Sequence, residues 1–308
     1  MLKGHEILDG KVVLAERKPA PVLVFAAPDD EEKKRLQTEF GIDEHTLASA
    51  LDPDEPSRLE FSERFSALII NIPKNFMGKG QLLFKVASMG IFLYPDRLLV
   101  VISEDIPVFS GRYFHAVKDL PDLFLKVIAA AVHHYLEHLK VINMITDEIE
   151  TKIASSMENK YLLNLFSLEK SLVYYLNALS SNGLVLDKMR SQAVRLGLSA
   201  GGPDLLDDII IENSQCQRQA EIQSNILASL IGARASIVSN NLNRLMKELN
   251  AIVVAVMVPG FFASVGGMSE WSMMTKHLDW RLSYAVFLAI MFAMGALTYL
   301  GVRKLERR

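Results

Sequence analysis

The sequence predicts an α+β membrane protein: an N-terminal α/β domain, a stalk of long helices and two C-terminal transmembrane helices. Three observations predict this class. Two uncharged apolar stretches end the chain, a helical repeat of apolar residues begins near Pro121, and runs of β-branched and aromatic residues precede it. We therefore expect domains at residues 1–118, 119–248 and 249–308.

The first domain is predicted from short runs of strand-forming residues that are punctuated by turn residues such as the Pro95–Asp96 pair. The expected strands are Lys11–Glu16, Pro21–Ala26, Arg58–Phe61, Ala67–Ile72, Leu82–Ser88, Gly90–Tyr94 and Leu98–Ser103, and the expected helices are Asp29–Phe40 and Asp43–Leu51. No phosphate-binding glycine loop or nucleophile elbow is present, so we do not expect an enzyme.

The stalk is predicted from apolar residues at helical spacing from Phe124 to Ile145 and again from Leu162 to Leu176. Ser155–Asn159 separates these two helices, and Gly201–Gly202–Pro203 ends the second. No proline then occurs before Pro259, so one helix can run from Asp204 into the membrane. Its roughly 55 residues would extend on the order of 80 Å, and such a helix needs neighbours along its length.

The transmembrane helices are the apolar stretches Leu249–Ser269 and Leu282–Val302. Each has about 20 residues, enough for a helix rising about 1.5 Å per residue to cross a bilayer core. Two spans from one chain cannot enclose a pathway, so a transport function requires several copies around a shared axis.

Basic residues predict the orientation of these spans. Clusters flank their inner ends, whereas the connecting loop is balanced in charge. The clusters are Arg244 and Lys247 before the first span and Arg303, Lys304, Arg307 and Arg308 after the second; the loop carries Glu270, Lys276, Asp279 and Arg281. The positive-inside rule places both termini in the cytoplasm of a protein of the inner (plasma) membrane.

Composition excludes several other classes. Half of the residues are hydrophobic and the mean hydropathy is +0.20, which is high for a wholly soluble protein. The first thirty residues carry charges and no apolar core of signal-peptide length. Cys216 is the only cysteine, which excludes an internal disulfide, and a net charge of −3 argues against a nucleic-acid partner.

A stripe of small and polar residues marks one face of the long helix. A seven-residue step connects Ser229, Ser236, Asn243, Asn250, Met257 and Ser264, with Asn240 and Gly260 on the same side. Polar residues within a span usually face a bundle interior or a water-filled pathway, and their oxygens suit a hydrated cation such as Mg²⁺. The alternative is that small residues simply permit close helix packing.

Local motifs then show a resemblance to a known family. Met246-Lys247-Glu248-Leu249-Asn250, Pro259 and Gly266-Gly267-Met268-Ser269 resemble the CorA divalent-cation channels, which have Met-Lys-x-Leu-Thr, a proline within the span and a terminal Tyr-Gly-Met-Asn. Pro56-Ser57-Arg58-Leu59-Glu60 is similar to the family's Arg-Pro-Lys segment, and Leu123–Ile149 to its helix before the pore helix.

The resemblance implies a homopentameric cytoplasmic funnel, with the first span lining a pore in the lipid bilayer. Leu249 and Met257 would form an apolar constriction that closes by excluding water. The pore and selectivity positions implied, together with their neighbours on the stripe, are Asn243, Leu249, Asn250, Met257, Gly260, Ser264, Gly267, Met268 and Ser269. Glu270 is a candidate outer-mouth acid that concentrates cations.

Departures from the family pattern leave the transported ion open. Ser269 stands where the family has asparagine, Gly266 where it has tyrosine, and the proline is displaced by one position. The leading expectation is transport of Mg²⁺ or another divalent cation, without a resident cofactor. Zinc uptake coupled to protons, as in the ZntB branch and hinted at by His277, and a non-conducting membrane scaffold or sensor are the alternatives.

Two further candidates concern metal in the soluble part. The resemblance implies a regulatory metal-binding acid at Asp208, although the partner acid is replaced around Lys74 and Asn75; Asp207 and Asp208 can also simply stabilise a helix start. His134-Tyr135-Leu136-Glu137-His138 has the His-x-x-Glu-His spacing of zinc hydrolases. We expect it to be a helix surface, because no third ligand is evident.

Overall fold

The computed structural model describes residues 1–15, 20–74, 82–155, 159–199, 201–267, 273–274, 276–277 and 279–306. By their packing the chain forms two units, Met1–Ile231 and Gly232–Arg308. The first unit holds a β-sheet and the helices that cover it, and the second holds two long apolar helical segments.

Within the described residues, the sheet of the first unit has seven strands. They are β1 (Leu2–Leu8), β2 (Lys11–Leu14), β3 (Val22–Ala26), β4 (Arg58–Phe61), β5 (Ser66–Pro73), β6 (Val86–Leu93) and β7 (Leu98–Ile102). Their order across the sheet is β2-β1-β3-β7-β6-β5-β4. Only the β3–β7 pair is parallel, with Val24 opposite Val100; the other neighbours are antiparallel.

Alternation along the central strands places apolar side chains on both faces of the sheet. In β3, Val22 and Val24 enter one core cluster, while Leu23 and Phe25 enter the other. Two helices, α1 (Asp30–Thr38) and α2 (Glu44–Leu51), complete the second cluster. The opposite face is covered by α3 (Leu120–Ser155) and α4 (Asn159–Ser191), and a short 3₁₀ helix, Arg112–His115, precedes them.

Sequence prediction missed β1, which pairs with β2 through a two-residue turn. Asp9 and Gly10 both have positive φ, 50° and 73°, and Leu8 pairs with Lys11. This is the primed type of turn that Asp-Gly favours, because its twist matches that of the flanking strands. The Asp-Gly pair was therefore the signal that identifies this hairpin.

The expected break near Gly90 is wrong, because β6 is one strand that runs through it. A Cβ on Gly90 would lie 2.6 Å from the Cβ of Ala50 in α2, which is too close for any side chain. Gly90 therefore permits a close helix-to-sheet contact and does not end a strand.

The remaining helices are α5 (Gly202–Gly266) and α6 (Trp280–Glu306). The predicted separation at Ser155–Asn159 falls on residues 156–158, which lie outside the described residues; α4 ends at Ser191, before the predicted Gly201–Gly202–Pro203. The prediction of one long helix from Asp204 into the apolar stretch is confirmed, and this helix continues past Pro259. The boundary between the two packing units falls within α5, and the expected domain limits at residues 118 and 248 stay predictions.

Candidate functional site

The polar stripe lies on the part of α5 that belongs to the second unit. The described side chains at all the implied pore positions are exposed in the single chain: Asn243, Leu249, Asn250, Met257, Gly260, Ser264 and Gly267. Leu249 is 56% exposed and Met257 70%. A Cβ built on Gly260 would meet nothing within 4 Å, so no contact with the described residues requires glycine there.

A different face of α5 packs against α6. Ala251 is 2% exposed, and Ala255 and Pro259 are partly buried. On α6, a Cβ at Gly295 would lie 3.3 Å from the carbonyl oxygen of Ala255 and 3.4 Å from Cγ of Pro259. The close helix contact within this unit therefore uses these residues.

The stripe and this packing face lie on different sides of the helix. At about 100° per residue, Asn250 and Met257 lie roughly 100° or more around the axis from Ala251. Ser264 and Gly260 lie farther still by the same geometry. The small residues of the stripe thus do not pack α5 against α6 within one chain. Water, lipid or another subunit must then contact the stripe.

The chemistry of the stripe suits a water-filled passage for a cation. Asn243, Asn250 and Ser264 present oxygens without a fixed charge, whereas Leu249 and Met257 present apolar side chains between them. Near the start of the apolar segment, Arg244 Nε lies 3.6 Å from Glu248 Oε1, an exposed pair one helical turn apart. Both side chains are exposed, so the pair contributes little to stability.

The last described position of the stripe is Gly267, whose N–H donates to the carbonyl oxygen of Ala263 at 3.0 Å. Met268, Ser269 and Glu270, the remaining predicted mouth residues, lie outside the described residues.

The lengths of the apolar helices suit a membrane. Almost none of the most apolar part of α5 or α6 is buried within the chain, unlike the core helix of a soluble protein. At one end of α6, Arg281 lies 5.5 Å from the ring of Trp280, and at the other Arg303 lies 5.9 Å from the ring of Tyr299. These aromatic residues are about 28 Å apart along the helix, close to the thickness of a bilayer core, where such residues mark both interfaces.

The candidate regulatory acid, Asp208, lies in the first unit and is exposed on α5. Its neighbour Asp207 pairs with Arg190, with Oδ1 3.0 Å from Nε. Lys74, at the position of the family's partner acid, pairs with Glu104, and Asn75 lies outside the described residues. In the described ranges, no three His, Cys, Asp or Glu side chains are grouped so as to hold a metal.

The His-x-x-Glu-His segment is mostly interior, which corrects the expected helix surface. His138 is 8% exposed, and its Nδ1 lies 2.5 Å from the hydroxyl of Tyr175 in α4. Burial, followed by the charge of nearby His134, lowers the pKa of His138 to about 4. Glu137 alone is exposed as expected, so the motif packs α3 onto α4.

Polar contacts that the sequence did not indicate hold the first part of α5 to the neighbouring helices. Glu212 Oε1 lies 2.9 Å from Nδ1 of His133 in α3. The amide of Asn213 donates to the Leu179 carbonyl of α4 at 3.0 Å, and that of Gln223 to the Leu139 carbonyl of α3 at 3.1 Å. The acceptors of the two amides are backbone atoms, which any sequence would offer, so no residue pattern could have revealed these two hydrogen bonds.

These features define a protein with an N-terminal α/β unit and an exposed polar face on a candidate membrane-spanning helix. A family model described as the CorA-like Mg²⁺ transporter protein matches residues 23–304. The chain therefore belongs to this family of ion transporters. No curated protein matches the sequence.

Solved structures with the same fold have distant sequences. The CorA magnesium transporter from Methanocaldococcus jannaschii has a TM-score of 0.73 and 18% identity, over 100% of this chain and 96% of that one. The full-length CmaX protein has a TM-score of 0.70 and 11% identity, over 96% of this chain and 95% of that one. The ZntB cytoplasmic domain from Vibrio parahaemolyticus has a TM-score of 0.56 and 11% identity, over 79% of this chain and 98% of that one. At these identities the likeness shows the fold.

Proposed function

We propose that this protein conducts Mg²⁺ across the plasma membrane as a homopentamer, with the polar stripe of α5 lining the pore. The observation that carries the proposal is the separation of the stripe from the face that packs on α6. A single chain leaves oxygens and small residues uncovered along an apolar helix, and several copies around an axis give them a water-filled centre.

The order of side chains along α5 supports a gated passage. Asn243 and Asn250 supply amide oxygens that accept hydrogen bonds from the water shell of the ion. Leu249 and Met257 form the apolar constriction, which stops conduction when it sheds water. Gly260, Ser264 and Gly267 continue the path toward Met268, Ser269 and Glu270 at the outer mouth.

The flanking charges support an orientation with both termini in the cytoplasm. Arg303 and Lys304 lie in the last turn of α6, and Arg244 and Lys247 precede the apolar part of α5. The positive-inside rule then places the sheet-containing unit in the cytoplasm and residues 267–279 outside.

We propose a regulatory role for Asp208 with cytosolic divalent cations. Its carboxylate is exposed, while the adjacent Asp207 is paired with Arg190. A site there needs further oxygens from a neighbouring subunit, because a divalent cation takes six or more ligands.

Proton-coupled zinc transport is the second candidate function. It is favoured by the shared fold with the ZntB cytoplasmic domain and by His277, an exposed residue between the two spans whose imidazole can carry a proton. Transport by this route would respond to a proton gradient, which conduction of Mg²⁺ does not need. A non-conducting scaffold is the third candidate.

A flux assay in liposomes tests these functions. Purified oligomers are reconstituted and supplied with Mg²⁺, Zn²⁺, Co²⁺ or Ni²⁺, with and without a pH gradient. We expect Mg²⁺ flux that is independent of the gradient and that rises in Ser269→Asn, with Ser272→Asn as the control. Zn²⁺ flux that requires the gradient would favour the second candidate, and absence of flux for every ion would overturn both.

A further inference from the structure

The first unit contains a pocket of about 540 Å³ that none of the proposed transport steps uses. It lies between the ends of β5 and β6, the 3₁₀ helix with the loop before it, and one side of α3. Its size falls within the range of sites that hold small organic molecules.

The floor of the pocket is apolar. Ile72 and Met89 from the sheet and Val127, Ala130 and Ala131 from α3 line it. The two alanines leave the space that larger side chains would fill. An occupant therefore needs an apolar body.

The rim carries charges of both signs. The guanidinium carbon of Arg112 lies 5.4 Å from the ring centroid of Tyr113. Hydrogen bonding to Tyr113, followed by the charges of Glu212 and Glu137, raises the pKa of Arg112, although within the described ranges no carboxylate is close enough to form an ion pair with it. Glu137 is largely exposed, with Oε1 3.9 Å from Nε2 of His133. His133 itself makes its shorter contact, 2.9 Å, with Glu212. Arg112 and Glu137 thus remain as one cation and one anion able to meet a ligand.

His134 adds a neutral polar group to the same wall. Burial is the main cause that lowers the pKa of His134; of the smaller effects, Glu137 raises this pKa and His133 lowers it. The imidazole is therefore uncharged near neutral pH. A neutral ring donates or accepts one hydrogen bond without favouring either sign of charge.

From this arrangement we infer that the pocket binds a small zwitterion of the α-amino-acid type with an apolar side chain. Its carboxylate would pair with Arg112, its ammonium group with Glu137, and its side chain would cover the apolar floor. The guanidinium fork suits a carboxylate. This inference is independent of the ion that the protein transports.

Calorimetric titration of the full-length protein in lipid nanodiscs tests the inference with four probes: L-phenylalanine, glycine, 3-phenylpropionate and phenethylamine. We expect saturable binding that is strongest for L-phenylalanine, weaker for 3-phenylpropionate, and at least about tenfold weaker for glycine and phenethylamine. A tenfold ratio corresponds to about 1.4 kcal/mol.

Two charge-removing variants assign the groups. Arg112→Gln should weaken binding of both L-phenylalanine and 3-phenylpropionate at least about tenfold, whereas Glu137→Gln should weaken only L-phenylalanine. The matched controls, Arg218→Gln and Glu221→Gln, change exposed residues of α5 outside the pocket and should leave both affinities unchanged.

The inference is overturned by absence of saturable binding, by glycine or phenethylamine binding as well as L-phenylalanine, or by equal effects of the pocket and control variants. Unfolding temperatures of all four variants show whether each is folded. Because no transport is measured, failure of this binding leaves the proposed conduction untouched.

Discussion

Gly295 of α6 lies against Pro259 of α5, so that a Cβ on Gly295 would be 3.4 Å from Cγ of the proline. The same Cβ would lie 3.3 Å from the carbonyl oxygen of Ala255. The two helices meet where one has a proline and the other has no side chain. This contact fixes which face of α5 is covered by α6 and, in consequence, which face remains for the polar stripe.

Gly295→Leu should separate the two helices and destabilise the protein. Its side chain has no room between Ala255 and Pro259, and overpacking of this kind typically costs about 1–3 kcal/mol. The expected result is a lower unfolding temperature and loss of the oligomer peak on size-exclusion chromatography.

Gly301→Leu is the matched control, because a Cβ there meets nothing within 4 Å. It should leave both measurements unchanged. An equal loss in the two variants would show that the contact with Pro259 is not the cause.

Met257→Ala should increase Mg²⁺ flux if Met257 forms the apolar constriction. Its side chain is 70% exposed in the single chain and carries much of the bulk of the stripe. Removing that bulk widens and wets the constriction, so we expect flux in liposomes to rise about fivefold or more.

Ile252→Ala provides the comparison for this prediction. Ile252 is also exposed, at 52%, but lies on another side of α5, roughly 140° or more from Met257 by helical geometry. Its flux should stay within about twofold of the unchanged protein, because a lipid-facing side chain does not alter pore width. A similar rise in both variants would count against a pore-lining Met257.

The sequence predicted features that depend on local chemistry or regular spacing. The strand Arg58–Phe61 agrees with the structure, and so does the long helix that runs from near Asp204 past Pro259. Such patterns are visible because secondary structure repeats with a fixed period.

Features that depend on a distant neighbour were not predictable. Gly90 resembles a strand break until α2 brings Ala50 against it. His138 belongs to a metal-site motif, yet its partner, Tyr175, is 37 residues away and makes it part of the core. The packing face of α5 likewise could not be separated from its stripe until Gly295 was located.

Asn213→Ala should weaken the attachment of α5 to α4. Asn213 is 1% exposed, and its amide donates to the Leu179 carbonyl at 3.0 Å. The variant loses a buried hydrogen bond and leaves a small cavity, which together should cost about 1–3 kcal/mol. Thermal unfolding followed by far-ultraviolet circular dichroism measures the change.

Gln215→Ala tests whether this effect depends on the contact. Gln215 is exposed two residues away on the same helix, so its replacement should shift the unfolding temperature little. If the two variants behave alike, helix propensity explains the result better than the bond to Leu179.

Acidification should destabilise the first unit through His138. The folded protein holds this pKa at about 4, below the ordinary 6.5, chiefly because burial disfavours the charged ring. Between these values the unfolded chain binds more protons than the folded one. The contribution of His138 to the free energy of unfolding is therefore fully present above about pH 6.5 and is lost as the pH decreases toward 4. The loss from this residue should be on the order of 2 kcal/mol by pH 5.

His138→Gln removes the titrating ring while retaining a polar group beside Tyr175, and should flatten the dependence of unfolding temperature on pH. Exposed His45 supplies the control, since His45→Gln should preserve the slope. A slope unchanged in His138→Gln would mean that other groups, with His134 foremost because burial also lowers its pKa, govern the response to acid.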